Sequence, residues 1–343
     1  MYSIKSTRLM TGIMMAVIVI LTGCTSDSGK VPHFETPQEA VNACTQWWKS
    51  ISSMNEDCNI GQVTELTVQW MELQDSAYSC FFNDSSIIND AEISRKFYIV
   101  ADSVRHKIVR MATSHPRTLK DVMFFKVHTI PNKEKLRQSK DFQEACSFFS
   151  QLDEKPEDPT ATANEYLELL QTSSGFHETD DILQFLQRED VCFRSLLTHL
   201  SAIPQEQLNT ISARTESVFN QLHVVLQGAD KDTQQRMNVY LLMRTNRRIL
   251  QNAAACRKDI EHNVALGEQC VANYKWMLLQ PFITLDDDAI AYLTEEQETE
   301  LLHLAGDMDS IFSHLDGNNQ MESQKLIQVL SDYILNLHMK SIL

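Results

Sequence analysis

Glycine and proline are scarce in this 343-residue chain, with 9 and 8 in all. That scarcity argues against a fold of many tight turns and against glycine loops that bring backbone close to a phosphate. Gly-x-Gly-x-x-Gly, Gly-x-Ser-x-Gly and His-Glu-x-x-His are all missing, which removes the usual signatures of dinucleotide binding, serine hydrolysis and zinc proteolysis. The eight cysteines contain no Cys-x-x-Cys, so neither a thioredoxin-like pair nor a cysteine zinc site is expected. Basic residues are the minority, 30 Lys and Arg against 46 Asp and Glu for a net charge of −16, and nucleic acid is excluded as a partner on that balance. Leu, Gln, Glu, Met and Ala are plentiful instead, a composition that favours helices.

The N-terminus has its own pattern. Lys5 and Arg8 precede an apolar stretch from Leu9 to Leu21. That stretch falls short of the roughly 20 residues a spanning helix needs, and it runs into the small, polar Thr22-Gly23-Cys24-Thr25-Ser26. Positive charge, short apolar core and small residues in that order read as a secretory signal. Leu21-Thr22-Gly23-Cys24 resembles the lipobox of bacterial lipoprotein precursors. The resemblance implies diacylglycerol on the Cys24 thiol, cleavage just before it, removal of residues 1–23 as signal peptide, and a palmitate-bearing anchor in the cell envelope. Thr25 rather than an aspartate after Cys24 implies, by similarity to enteric lipoproteins, the outer membrane in preference to the inner one. Residues 24–35, with Gly29 and Pro32 and no periodic apolar pattern, read as a lipidated tether that holds the body roughly 15 to 20 Å from the lipid.

Beyond the tether the apolar residues recur at helical spacing. Thr36-Pro37-Gln38-Glu39 is a capping box with proline at the first helical position. Ala40, Cys44, Trp47, Ile51 and Met54 then form one stripe, followed by Val63, Leu66, Trp70, Leu73 and Ala77 and by Phe97, Ala101, Val104, Ile108 and Met111; three antiparallel helices are expected. Val122 to Ile130 is rich in aromatic and β-branched residues, but a lone strand has no partner, so a short buried helix opened by Thr118 is preferred. Asp153 to Pro159, charged and with two prolines, reads as a boundary between two helical subdomains at residues 36–152 and 159–343. Further helices are expected from Asp158-Pro159 to about Thr172, from Thr179, from Pro204 to Gly228, from Asp230 to Gly267, from Cys270 to Pro281, from Thr294 and from near Gln320. The fold class is all-α, an irregular multi-helical bundle.

Once Cys24 is lipidated, seven cysteines remain, and at least one is unpaired within the chain. Cys44 and Cys58, like Cys256 and Cys270, lie fourteen residues apart in helical sequence, about 21 Å along an axis. That is too far for a bridge, and buried reduced thiols are expected. Glu300-Leu301-Leu302-His303 has the spacing of a carboxylate-bridged metal helix but lacks its companions, and Asp316 to Ile327 lacks the closing glutamate of a calcium loop. No metal, cofactor or catalytic residue is therefore assigned. Asp286-Asp287-Asp288 suits a helix N-terminus.

Charge is unevenly spread. From Arg95 to Lys140 twelve Lys and Arg face only Asp102, Asp121 and Glu134, whereas residues 156–343 hold 13 basic and 28 acidic side chains. The basic segment either faces the acidic half of the same molecule or presents Arg105, Lys107, Arg110, Arg117 and Lys120 to anionic headgroups or an acidic partner. Once residues 1–23 are removed, 28 basic and 46 acidic residues leave a net −18. The resulting expectation is a membrane-anchored envelope lipoprotein, not an enzyme, that binds another protein or acts as a scaffold. An envelope hydrolase or carbohydrate-active enzyme, or an immunity or inhibitor lipoprotein, are the alternatives.

Overall fold

The computed structural model of the chain describes residues 32–83, 91–114, 118–154, 162–173, 176, 178–198, 203–262, 268–315 and 324–328. The lipobox with Cys24, Asp158-Pro159, Arg117 and Gln320 lie outside the described residues. Among those described there are thirteen helices between Pro37 and Leu315 and no strand, and the all-α, multi-helical architecture is as expected. The described residues form two compact units, one up to Ser114 and the other from Thr118 onward.

The first unit contains α1 (Pro37–Ser52), α2 (Ile60–Asn83) and α3 (Ala91–Thr113). α1 opens on its capping box: the Thr36 hydroxyl accepts from the Glu39 N–H at 3.3 Å, and the Glu39 carboxylate accepts from the Thr36 N–H at 3.3 Å. The three apolar stripes are buried, apart from Met54 at the end of the first. Trp47 stacks on Trp70 with centroids 5.5 Å apart, and Phe97 meets Tyr78 and Phe81 edge-on at 5.3 and 5.0 Å. The C-terminal end of α2 therefore lies against the start of α3. The Lys107 ammonium on α3 donates to the Met54 carbonyl just beyond α1 at 2.6 Å, so α1 and α3 end side by side and the three helices run up, down and up.

The second unit runs through α4 (Leu119–His128), α5 (Lys133–Arg137), α6 (Lys140–Asp153), α7 (Ala163–Thr172), α8 (Thr179–Leu197), α9 (Gln205–Gln227), α10 (Lys231–His262), α11 (Glu268–Thr284), α12 (Asp287–Ala291) and α13 (Glu295–Leu315). α4 settles the ambiguous 122–130 stretch as a helix. Thr118 caps it in a box with Asp121, and Val122, Met123, Phe125 and Val127 are buried. α10 is the spine, packed by α6, α8, α9, α11, α12 and α13.

Three expectations need correction. The division of the chain falls at Arg117–Thr118, not at Asp153–Pro159. One continuous core runs from Phe142 and Leu152 through Tyr166, Leu186 and Leu222 to Met243, so residues on both sides of the charged, proline-containing stretch bury each other's apolar surface. α7 starts at Ala163, where Thr162 forms a capping box with Glu165, rather than at Asp158-Pro159. α11 passes through Pro281 to Thr284. An interior proline costs about 3 kcal/mol, but Leu278, Phe282 and Leu285 are buried around it, and each fully buried side chain of that size returns about 1.5–3 kcal/mol.

Candidate functional site

Of the basic residues proposed as an anionic-partner surface, Arg117 lies outside the described residues and Lys107 turns inward. Lys107 is only 6 % exposed and is consumed by the Met54 carbonyl, with the Glu56 carboxylate 3.6 Å away. A cation at the C-terminal end of α1 meets unsatisfied carbonyls and the negative end of the helix dipole, so Lys107 is structural and is withdrawn from that surface. Arg105 pairs with Asp102 one turn earlier. Arg110 stays exposed beside Glu56 at 2.9 Å. Lys120 belongs to the second unit, its aliphatic stem lying across Gly306 of α13.

Within the second unit, Lys126, Lys133 and Arg137 of the basic stretch turn to acidic and carbonyl partners. Lys126, 3 % exposed, donates to the Leu285 carbonyl at 2.6 Å. Burial lowers its pKa to about 8, against the upward pull of Asp287 and Asp286. Lys133 and Arg137 reach Glu298 at 2.8 and 2.6 Å, and Arg137 also donates to the Leu293 carbonyl at 2.8 Å. Here the basic segment faces the acidic half of the same molecule. Asp286 caps α12, accepting from the Ala289 N–H at 2.8 Å, as its position suggested.

The densest charged cluster is buried between α8 and α10. Glu189 has no exposed surface and Asp190 only 2 %. Arg244 grips Glu189 through Nε at 3.1 Å and Nη2 at 2.7 Å, Arg248 donates at 2.6 Å, and the Tyr166 hydroxyl donates as well. Burial alone would push the Glu189 carboxyl up, but the two guanidiniums outweigh it and hold the pKa at about 2. Arg247 bridges Asp190 and Asp153, the latter at 2.8 and 2.6 Å. Arg244 and Arg248 lie over the Phe219 and Phe193 rings at 3.9 and 3.7 Å. Glu189 and Asp190 are enclosed by these cations, and the cluster clasps α6, α7, α8 and α10 together.

A groove of about 800 Å³ opens between α10 and α13, lined among others by Arg257, Lys258, Glu261, Glu296, Glu300 and His303. Arg257 spans its rim, 2.6 Å from Asp307 and 3.3 Å from Glu261. Burial raises the Glu300 pKa while Arg257 opposes the shift. The Glu300–His303 pair noticed in the sequence thus does face a cleft. Among the described residues no group of three or more His, Cys, Asp or Glu could hold a metal, and no helix is long and apolar enough to cross a membrane. No family model, curated protein or solved structure matches the chain.

Exposed apolar side chains complete the inventory: Tyr98 and Ile99 on α3, Val224 on α9, and Trp276 and Ile283 one heptad apart on α11. Sequence reasoning missed the Glu189 cluster and the α11 face. Arg244, Arg247 and Arg248 at helical spacing were a legible signal for a charged face, but only the fold turns that face inward.

Proposed function

We propose that the chain is a lipid-anchored envelope protein, held by a lipidated Cys24, whose helical body binds another protein or serves as a scaffold. The observation that carries this reading is the order of Lys5, Arg8, the Leu9–Leu21 core and Leu21-Thr22-Gly23-Cys24. Two features of the body support the binding role: its buried ionic groups are committed to internal partners, and Trp276 and Ile283 stand 57 % and 53 % exposed on one helix face. Exposed aromatic anchors of that kind concentrate binding energy when a partner covers them. Radioactive palmitate should label the parent and not Cys24→Ser. A photo-crosslinker at Trp276 in intact cells should capture one recurrent protein, lost on Ile283→Asp. An unlabelled parent removes the anchor, and unchanged capture by the Ile283→Asp chain removes the binding face.

A hydrolytic reading has one observation in its favour, the Glu300 carboxyl in the α10–α13 groove, whose pKa burial pushes upward, the direction a general acid needs. If it holds, Glu300→Gln abolishes turnover of an envelope glycan or peptide while leaving the fold intact.

A further inference from the structure

The first unit places a small amphipathic patch at the end where the tether enters. α1 and α3 run in the same direction, tied at their far ends by the Lys107–Met54 hydrogen bond and by the Ser114 hydroxyl donating to the Glu56 carbonyl at 2.8 Å. Pro37 lies seventeen residues before Met54 and Ala91 sixteen before Lys107. At equal rise per residue the two helices begin at nearly the same level, so chain arriving from Cys24 enters beside the start of α3. Ile99 is eight residues into that helix, roughly 12 Å along its axis. The outer face between is occupied by Glu92, Arg95, Lys96, Tyr98 and Ile99, all exposed, the last two at 60 % and 57 %. Phe97 between them turns inward and is 1 % exposed.

We propose that this end of α3 rests on the surface of the membrane that holds Cys24, with Arg95 and Lys96 at headgroup phosphates and Tyr98 and Ile99 in the interfacial layer. The proposal builds on the anchor reading. Twelve residues lie between Cys24 and Pro37, which as a coil would span about 20 Å and let the patch reach the bilayer. With Lys107 buried, α3 exposes Arg95, Lys96 and Arg110 against Glu92 and Asp102 in a chain of net charge −16, so its outer charge suits anionic lipid where most of the body does not. Lys96 pairs with Glu92 at 2.7 Å, but both are more than half exposed, and such a pair contributes little that a phosphate could not replace. Tyrosine favours the headgroup level, its ring apolar and its hydroxyl wet. The same net charge opposes a second copy as the occupant.

The test uses the mature lipidated chain in vesicles of phosphatidylethanolamine and phosphatidylglycerol, with benzoylphenylalanine at Tyr98 or, as the control, at the more exposed Val224 of α9. Flotation with the vesicles reports the anchor; a lipid adduct after illumination reports the face. The expected result is a lipid adduct at position 98 well above that at 224. It should weaken in the chain carrying Arg95→Ala and Lys96→Ala, whose contact equilibrium loses about thirtyfold at about 1 kcal/mol per basic residue. Flotation with equal adducts at the two positions overturns the face alone. Crosslinks between two chains at position 98 give the patch to a second copy and overturn it too, and a chain that does not float overturns anchor and face together.

Discussion

At the scale of single residues, the informative charges are the buried ones. Glu189 sits without exposed surface between Arg244, Arg248 and Tyr166. Its folded pKa of about 2 lies below the ordinary value of about 4.3. The stabilisation it brings is therefore complete above about pH 4.5 and drains away as pH falls through about 2. Glu189→Gln strands two buried guanidiniums and should cost about 3–5 kcal/mol at pH 7, read from the urea midpoint, with the gap to the parent closing toward pH 2. A loss below about 1 kcal/mol at pH 7 would mean the cluster is replaceable. Lys126 works in the opposite pH range. Its pKa is depressed to about 8, so between about pH 8 and 10.4 the unfolded chain binds more protons and stability rises with pH. Relative to Lys126→Met, the parent should gain on the order of 2 kcal/mol from pH 7.5 to 10. A constant difference across that window would show an amine that folding does not desolvate.

At the scale of elements, Pro281 gives the sharpest test, because it sits inside α11 where its neighbours Leu278 and Phe282 are buried. Pro281→Ala restores an amide donor and relieves the ring clash, and should raise the thermal midpoint by the equivalent of about 1–3 kcal/mol. A fall would mean that the packing around Leu278 and Phe282 requires the proline ring. The same helix shows where sequence reading stops. Local rules were enough for α1, where hydroxyl, proline and glutamate stand at their capping positions, and for the three stripes of the first unit, whose period alone placed them inside. They were enough for α4 as well, because Thr118 and Asp121 close a capping box three residues apart. They failed wherever the deciding partner is remote. Lys107 is withdrawn from the surface by a carbonyl 53 positions away, Lys126 by one 159 positions away, and the Asp153–Pro159 stretch is no boundary because Tyr166 and Leu222 share a core with Phe142. Glu300 and His303 could be paired from their spacing, yet the groove they face exists only because α10 crosses beside α13.

At the scale of the whole molecule, the uneven charge has a partial structural account. Residues 118–140 spend Lys126, Lys133 and Arg137 on the 285–298 region of their own unit, while Arg95 and Lys96 of α3 are exposed on the first unit. The six described cysteines, Cys44, Cys58, Cys80, Cys146, Cys192 and Cys256, are all unbridged, and burial pushes the Cys44 and Cys256 thiols up to about 12. A helical body that commits most of its inward charge to its own clasps suits a module presented by a tether, and the account turns on the tether's first residue. Intact-mass and N-terminal peptide spectrometry of the protein recovered from cell envelopes measures it directly. The account predicts a chain beginning at Cys24 and carrying a diacylglycerol thioether with a further acyl group on its amine. A chain that begins at Met1, or one cut elsewhere with a bare Cys24 thiol, would contradict it.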